Sequence, residues 1–402
     1  MSALFKEVQE EVLKAFEEEI PSIYYSDKSQ EEYKVWKRTM SRMYHDLMKF
    51  PPEMFKDKTL LDFGGGTGEN TVYLTEWGAK CTLVEINPKA HEISKEIFKK
   101  YSKNFELHKF VNQSLFDFKT DEKFDIVHSR GVFAHTNDPE EAFNKLSGNL
   151  KEGGYLIYGD GNKSGNFQNM LQRMIIYRFS STWDEMVEVA EMLFKEDLDR
   201  AQKYANRSRR CIIFDKWVVP RLTNPSLTEV LTWFENNNIK LYSSYPNFIP
   251  AIQSDSFHHK PEFSMEKIKH SGALIESFWM IYNKEDAIEI KETIEIMKPL
   301  NEAQHALVSQ IDDFGKDTKF NVNTFLTDLN KYANCLAEIN LTKRLVERTN
   351  VFVREVEKVV EFMASDNLNG IKREIQSAKE LFRGGNGVRH IDFIGFKEKR
   401  NF

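Results

Sequence analysis

"LLDFGGGTGENTVYL", residues 60–74, decides how this chain is read. An apolar run carrying Asp62 ends in Gly64, Gly65 and Gly66, and Gly68 follows two places on. Glycine permits positive φ and lets a ligand touch backbone where a Cβ would stand in the way. The pattern therefore predicts a strand, a bare turn, and then "TGENTVYLTEWG" as a helix ending at Gly78, its first N–H groups facing a ligand. The dinucleotide spacing G-x-G-x-x-G fails, since it would end on Glu69 counted from Gly64 and on Thr71 counted from Gly66. A phosphate loop fails as well, because no lysine follows the glycines where one is needed. What remains is G-x-G-x-G, and the next apolar run, "CTLVEINP", closes on Glu85. An acid about 20 residues past the first glycine, at the tip of the adjacent strand, can accept both hydroxyls of a ribose. The ligand predicted is a nucleoside without a pyrophosphate.

Working outward, "TLLDFG", "CTLVEI", "FELHKFV", "FDIVHS" and "GGYLIYG" are five candidate strands separated by polar helical stretches. Most are continuous apolar runs, as a parallel sheet covered on both faces requires. Residues 1–57 read as an N-terminal helical segment, with Leu4, Val8, Val12, Leu13 and Phe16 at helical spacing and "FPPEMF" as the break. Residues 58–255 form the α/β domain, within which 165–210 is a helical lid or insertion containing "FQNMLQRMIIYRF". "PSLTEVLTWFENNN" and "IKLYSSY" read as a capped helix and a strand. Residues 256–385 are helical, with stripes such as Val353, Val356, Val360 and Met363 that suit helices packed on one another. At 386–402 the period returns to two, so "RHIDFIGFK" is expected as the final strand beside "IKLYSSY", with the helices inserted between them.

The 402 residues exceed one ordinary core, and 41% hydrophobic with 13% aromatic content can build more than one. No apolar stretch approaches the roughly 18 residues of a membrane span, and the acidic amphipathic start is the wrong chemistry for a targeting signal. A cytoplasmic protein is expected. A net charge of −6 and the lack of a long basic block argue against a nucleic-acid partner. "RSRRC" at 207–211, the densest basic spot, reads as a short solvated patch. Cys81, Cys211 and Cys335 are isolated and odd in number, which supports neither disulfides nor a cysteine metal site. No metal is expected: "HEIS" at 91 lacks a second histidine, and His258 and His259 have no acid at ligand spacing.

"LLDFGGGTGENTVYLTEWGAKCTLVEINPKA" resembles the first two motifs of the class I S-adenosylmethionine-dependent methyltransferases. "NQSLFDFKTDEKFDIVHSRGVFAHTNDPEEAFNKLSGNLKEGGYLIYGD" resembles the rest of that domain in order and spacing, and "FDKWVVPRLTNPSLTEVLTWFENNNIKLYSSY" is more loosely similar to the late helix and strand of small-molecule members. The resemblance implies a Rossmann-like, mainly parallel sheet with helices on both faces, and S-adenosyl-L-methionine as cofactor. It further implies that Asp62, Gly64, Gly66 and Gly68 shape the pocket near the methionyl part, that Glu85 holds the ribose, and that Ile86 packs on adenine. Ser114 and Leu115 stand where the adenine amino group is usually met, although Ser114 departs from the usual acid. Ser129 and Arg130 would face the sulfonium end.

Methyl transfer needs alignment more than a nucleophilic side chain. His135, in "GVFAHTNDPEE", is a candidate general base or else a packing histidine at a loop edge. His128, inside an apolar run, reads as core. Arg130, Asp160, Asn162, Asp215 and Trp217 are candidate acceptor contacts, with turn closure the alternative for Asp160 and Asn162. Tyr24 and Tyr25 either fold over the cofactor or staple the helical preface to the sheet. "FQNMLQRMIIYRF" either lids an acceptor pocket or is plain core. The polar-Pro-Pro-aromatic signature of amide and base N-methylation is absent. The sequence thus predicts methyl transfer to a small-molecule acceptor at O, N or C. The alternatives are a methyltransferase docking protein or RNA through its C-terminal helices, and a nucleoside-binding scaffold without catalysis. The same helices leave a homo-oligomer open.

Overall fold

A computed structural model of the chain describes residues 3–21, 30–204, 207–248, 265–276, 280, 294–312, 320–338, 343–383 and 389–399. Tyr24, Tyr25, His258 and His259 lie outside the described residues.

The chain opens with α1 (Ala3–Glu18) and α2 (Gln30–Arg42), a π-helical turn at Met43–Leu47 and a 3-10 turn at Pro52–Phe55. There follow β1 (Thr59–Phe63), α3 (Val72–Glu76), β2 (Lys80–Glu85), α4 (Pro88–Tyr101), β3 (Lys109–Asn112), β4 (Phe124–Arg130), α5 (Pro139–Gly148) and β5 (Leu150–Gly161). Four helices come next, α6 (Phe167–Arg178), α7 (Trp183–Leu193), α8 (Lys195–Tyr204) and α9 (Arg209–Ile213), then a π-helical turn at Phe214–Val218, α10 (Leu227–Asn236) and β6 (Ile239–Tyr245). The chain ends with α11 (Met265–Glu276), α12 (Ile294–Asp312), α13 (Val322–Glu338), α14 (Lys343–Ala364), α15 (Leu368–Ser377) and β7 (His390–Lys397).

The seven strands form one sheet in the order β3-β2-β1-β4-β5-β7-β6. The first five are parallel; β7 runs antiparallel to both β5 and β6, with Asp392 opposite Gly159 on one side and Tyr245 on the other. The strand order reverses between β1 and β4, and such a switch point opens a crevice at the carboxyl ends of the strands. Local chemistry starts the helices where the sequence marks them. Asn87 accepts from Lys89 N and Ala90 N ahead of Pro88, Asp138 accepts from Glu141 N ahead of Pro139, and Ser226 with Glu229 makes a capping box.

Alternation along the strands divides the core. Leu61, Phe63 and Val127 pack with α5 and α10 on one face, and Leu60, Cys81, Leu83 and Ile126 pack with α3, α4 and Tyr44 on the other. A third apolar cluster joins α6–α9 to α12–α15. Every residue from Phe167 to Ile176 is buried, and Phe167 stacks on Phe325 with 6.3 Å between centroids. The segment read as a lid or insertion is therefore the core of a helical unit built from two separate stretches of chain. That run of α6 is buried on every side, its polar Gln168, Asn169, Gln172 and Arg173 included, and the C-terminal helices supply part of that cover. Among the described residues no helix is long and apolar enough to cross a membrane.

Two local expectations change. The helix expected directly after the glycines is only Val72–Glu76, because the preceding residues are spent in turns closed by Gly68 N on Gly65 O at 2.8 Å and by Thr71 N and Val72 N on Gly68 O at 3.1 and 2.9 Å. Of the N–H groups expected to face a ligand from the helix start, Gly68 N is thus bonded to Gly65 O within the turn instead. In "FELHKFV" the first residues form a 3-10 turn, Phe105–Leu107, and only Lys109–Asn112 is strand.

Candidate functional site

At the carboxyl ends of β1, β2 and β4 lies a cavity of about 310 Å³, lined by the glycine bend, Glu85, Ile86, Ser114, Leu115, Arg130 and His135. That volume is at the small end of ligand sites, which run from about 300 to 1,000 Å³. Gly64 and Gly66 hold φ of +69° and +53°. A Cβ on Gly64 would stand 2.5 Å from Val132 Cγ2, whereas one on Gly66 would meet nothing within 4 Å. The first glycine serves packing, and the second leaves room in the cavity wall.

Glu85 is buried, and its two oxygens accept from Gly66 N at 2.8 Å and Asn87 N at 2.7 Å. Burial raises its pKa, and the N–H groups of Asn87 and Gly66 oppose that rise. The carboxylate is thereby fixed at the β2 tip, each oxygen keeping lone-pair capacity for a diol. Ser114 Oγ lies 3.0 Å from Gln9 Oε1 of α1, so the serine replacing the usual acid is bridged to the helix above it.

α1 is the roof. Gln9, Val12, Leu13 and Phe16 line the cavity, as do Ile20 and Pro21 beyond the helix. The helix is held down by Asn87 Nδ2 on Phe16 O at 3.1 Å and Lys89 Nζ on Glu17 O at 3.0 Å. The apolar stripe of this helix was legible in sequence; that it covers the site was not.

His135 lines the same cavity. Its Nδ1 is 2.9 Å from Arg221 O, and a carbonyl only accepts, so Nδ1 is the donor and, in the neutral ring, Nε2 is the nitrogen that can accept. Its ring meets Phe16 edge-on at 5.1 Å. Arg130 lines the cavity while its guanidinium is bound to Asp392 at 2.5 and 3.2 Å, a partner no local sequence signal marked. Asp215 also lines the cavity, paired to Arg207 at 2.7 Å.

The remaining candidates stand behind the wall or away from it. Asp62 is buried, 2.7 Å from His128 Nδ1 and bonded by Thr71 Oγ1, and Tyr44 closes the chain on His128 Nε2 at 3.3 Å. His128 is therefore core, and Asp62 braces the bend from below. Gly68 has φ +77° and faces Phe98 and Ser94. Ser129 Oγ donates to Phe63 O at 2.9 Å. Asp160 accepts from Ala134 N and Gly161 N, both at 2.9 Å, and burial raises its pKa against His135 and His390. Asn162 binds Glu276 Oε1 at 2.7 Å and Gly165 N at 2.9 Å, which makes it a turn-closing residue. Trp217 is fully buried in the helical unit, its Nε1 donating to Asn169 Oδ1 at 3.0 Å, too deep in that core to touch an acceptor. Among the described residues no group of three or more His, Cys, Asp or Glu side chains could hold a metal.

The lining fits what a sulfonium nucleoside would need: a buried carboxylate at Glu85, an apolar wall at Ile86 and Leu115, and open space where Gly66 lacks a side chain. Residues 35–201 match the family model described as "Methyltransferase domain". Similar solved structures include the magnesium protoporphyrin IX methyltransferase ChlM of Synechocystis with bound SAH, at 12% identity, TM-score 0.33, covering 53% of this chain and 75% of that one. The N-methyltransferase NodS of Bradyrhizobium japonicum, in complex with S-adenosyl-L-homocysteine, is 16% identical, TM-score 0.28, covering 40% and 75%. A Bacillus halodurans protein assigned as a methyltransferase is 15% identical, TM-score 0.30; the match covers 46% of this chain and 64%, just under two thirds, of that one. No curated protein matches the sequence.

Proposed function

We propose that this chain, which carries a methyltransferase domain of the class I fold, binds S-adenosyl-L-methionine beneath α1 and methylates a small-molecule acceptor. One observation carries the reading: the bare bend at Gly66 and the fixed carboxylate of Glu85 stand side by side at the tips of adjacent strands, on one cavity. When bound, the cofactor supplies a methyl on a positively charged sulfur, whose S–C bond breaks as the acceptor's lone pair forms the new bond.

The protein's part is alignment and exclusion of water. Glu85 and Ile86 fix the nucleoside end, and Phe16, Ile20 and Val132 keep the wall near His135 apolar. His135 Nε2, its tautomer set by Arg221 O, takes the proton that an acceptor hydroxyl or amine gives up. A roof made of the chain's own helix favours a metabolite over a polymer, which would need an open groove.

The test is calorimetric titration with S-adenosylmethionine and its demethylated product, followed by a mass-shift screen of acceptors. Glu85→Ala is expected to weaken cofactor binding at least about tenfold, the loss of a charged hydrogen-bond pair. Unchanged affinity removes the ribose assignment, and no binding by the native protein removes the whole reading.

A further inference from the structure

The basic run "RSRRC" is not a solvated patch. Arg209 pairs with Asp199, and Arg210 reaches Asp184 at 2.9 Å, Glu18 at 3.2 Å and Glu19 at 3.4 Å. Arg207 turns the other way and lines the cavity, its side chain 19% exposed. One terminal nitrogen donates to Asp215 Oδ2 at 2.7 Å, while Nε is buried and meets no acceptor.

A guanidinium is donor-only, so the part of this one left open to the cavity can be completed only by an oxygen of something bound there. The planar fork favours a carboxylate over a lone carbonyl, because a charge-assisted, two-point contact is stronger and directional. Asp215 is 34% exposed and remains partly hydrated, so the demand on this wall is for an acceptor and not for a second cation. The neighbouring wall is apolar, from Leu13, Phe16, Ile20 and Pro21. Gly66, Glu85 and Ser114 come from the sheet, whereas Arg207 and Asp215 come from the helical unit, so the two sets present separate subsites to one cavity.

We infer that the methyl acceptor is a small apolar carboxylic acid, anchored by its carboxylate on Arg207 with its methyl-accepting atom toward His135. This rests on the methyltransferase reading and adds the substrate class. Asp215 positions Arg207 and does not itself meet the reacting atoms.

The full-length protein is saturated with S-adenosylhomocysteine and titrated with isovalerate, benzoate and indole-3-acetate, each beside its amide. At least one acid is expected to bind roughly tenfold tighter than its amide, as a charge-assisted contact implies. Arg207→Gln is expected to erase that preference without moving S-adenosylhomocysteine affinity, and Arg207→Lys, which keeps the charge without the fork, to retain part of it. Equal binding of acid and amide, no binding by any of the three acids, or a preference that survives Arg207→Gln overturns the inference. So does a parallel loss of S-adenosylhomocysteine affinity, which would assign Arg207 to the cofactor's own carboxylate. Failure of the native protein to bind S-adenosylhomocysteine, seen before any acid is added, is instead a failure of the methyltransferase reading.

Discussion

Arg130 at the end of β4 and Asp392 on β7 form a two-point ion pair at 2.5 and 3.2 Å, bridging residues 262 positions apart in the chain. Burial alone would raise the Asp392 pKa; the Arg130 guanidinium and His390 override it and hold the carboxyl far below the ordinary range. Gly159 makes the room, since a Cβ there would lie 2.0 Å from Asp392 Oδ1.

Breaking this pair from one side leaves a buried charge alone. Asp392→Asn and Arg130→Met are each expected to cost about 3–5 kcal/mol in chemical denaturation. The double variant should recover part of that, because the penalty belongs to the unpaired survivor. Strictly additive losses would mean that the two groups act independently.

The glycine bend separates fold from binding. Gly64→Ala drives a methyl into Val132 in addition to straining a positive φ, and should lower the melting temperature clearly. Gly66→Ala carries only the strain, about 1–2 kcal/mol, while its methyl occupies the cavity. Calorimetry should show cofactor affinity falling further in Gly66→Ala than stability does. A Gly66→Ala protein that binds the cofactor normally would move the ligand away from the bend.

The sheet was legible because its strands are continuous apolar runs, and the capped helices because Asn87-Pro88, Asp138-Pro139 and Ser226 with Glu229 act over four residues. The bend and Glu85 were legible for the same reason: each is a local signal. Asp392, Phe16 and Arg207 were not, since what makes them matter is the element that folding brings opposite, and an apolar or charged residue does not name its partner. The same limit hid the fate of α6, whose stripe reads as buried without saying against what.

Glu276 predicts a pH effect. It is fully buried, with Oε1 accepting from Asn162 Nδ2 at 2.7 Å and Leu227 N at 3.2 Å, and Oε2 without a partner. Burial is the main cause that lifts its pKa to about 7; Glu229 adds to the rise, while Asn162, Leu227 N and Lys163 oppose it. A carboxyl with a raised folded pKa favours the folded state below the unfolded value, near 4.5, and that contribution is lost as pH rises through about 7. Denaturation midpoints of the native protein should therefore fall from pH 5 to pH 8 relative to Glu276→Gln, which does not titrate. Parallel curves for the two proteins would refute the assignment.

His135 decides between proton transfer and packing. Its Nδ1–H is committed to Arg221 O, so only Nε2 can accept, and the ring also packs on Phe16. If Nε2 takes the acceptor's proton, His135→Gln should lower kcat by roughly 10² to 10⁴ with little change in KM or cofactor affinity. If the ring only packs, His135→Phe should keep the rate, and both variants should differ from the native protein in melting temperature alone. The acceptor returned by the mass-shift screen sets how far the first outcome extends. A hydroxyl or amine that must lose its proton should show the full drop, whereas a carboxylate methylated directly has no proton to give and should show none.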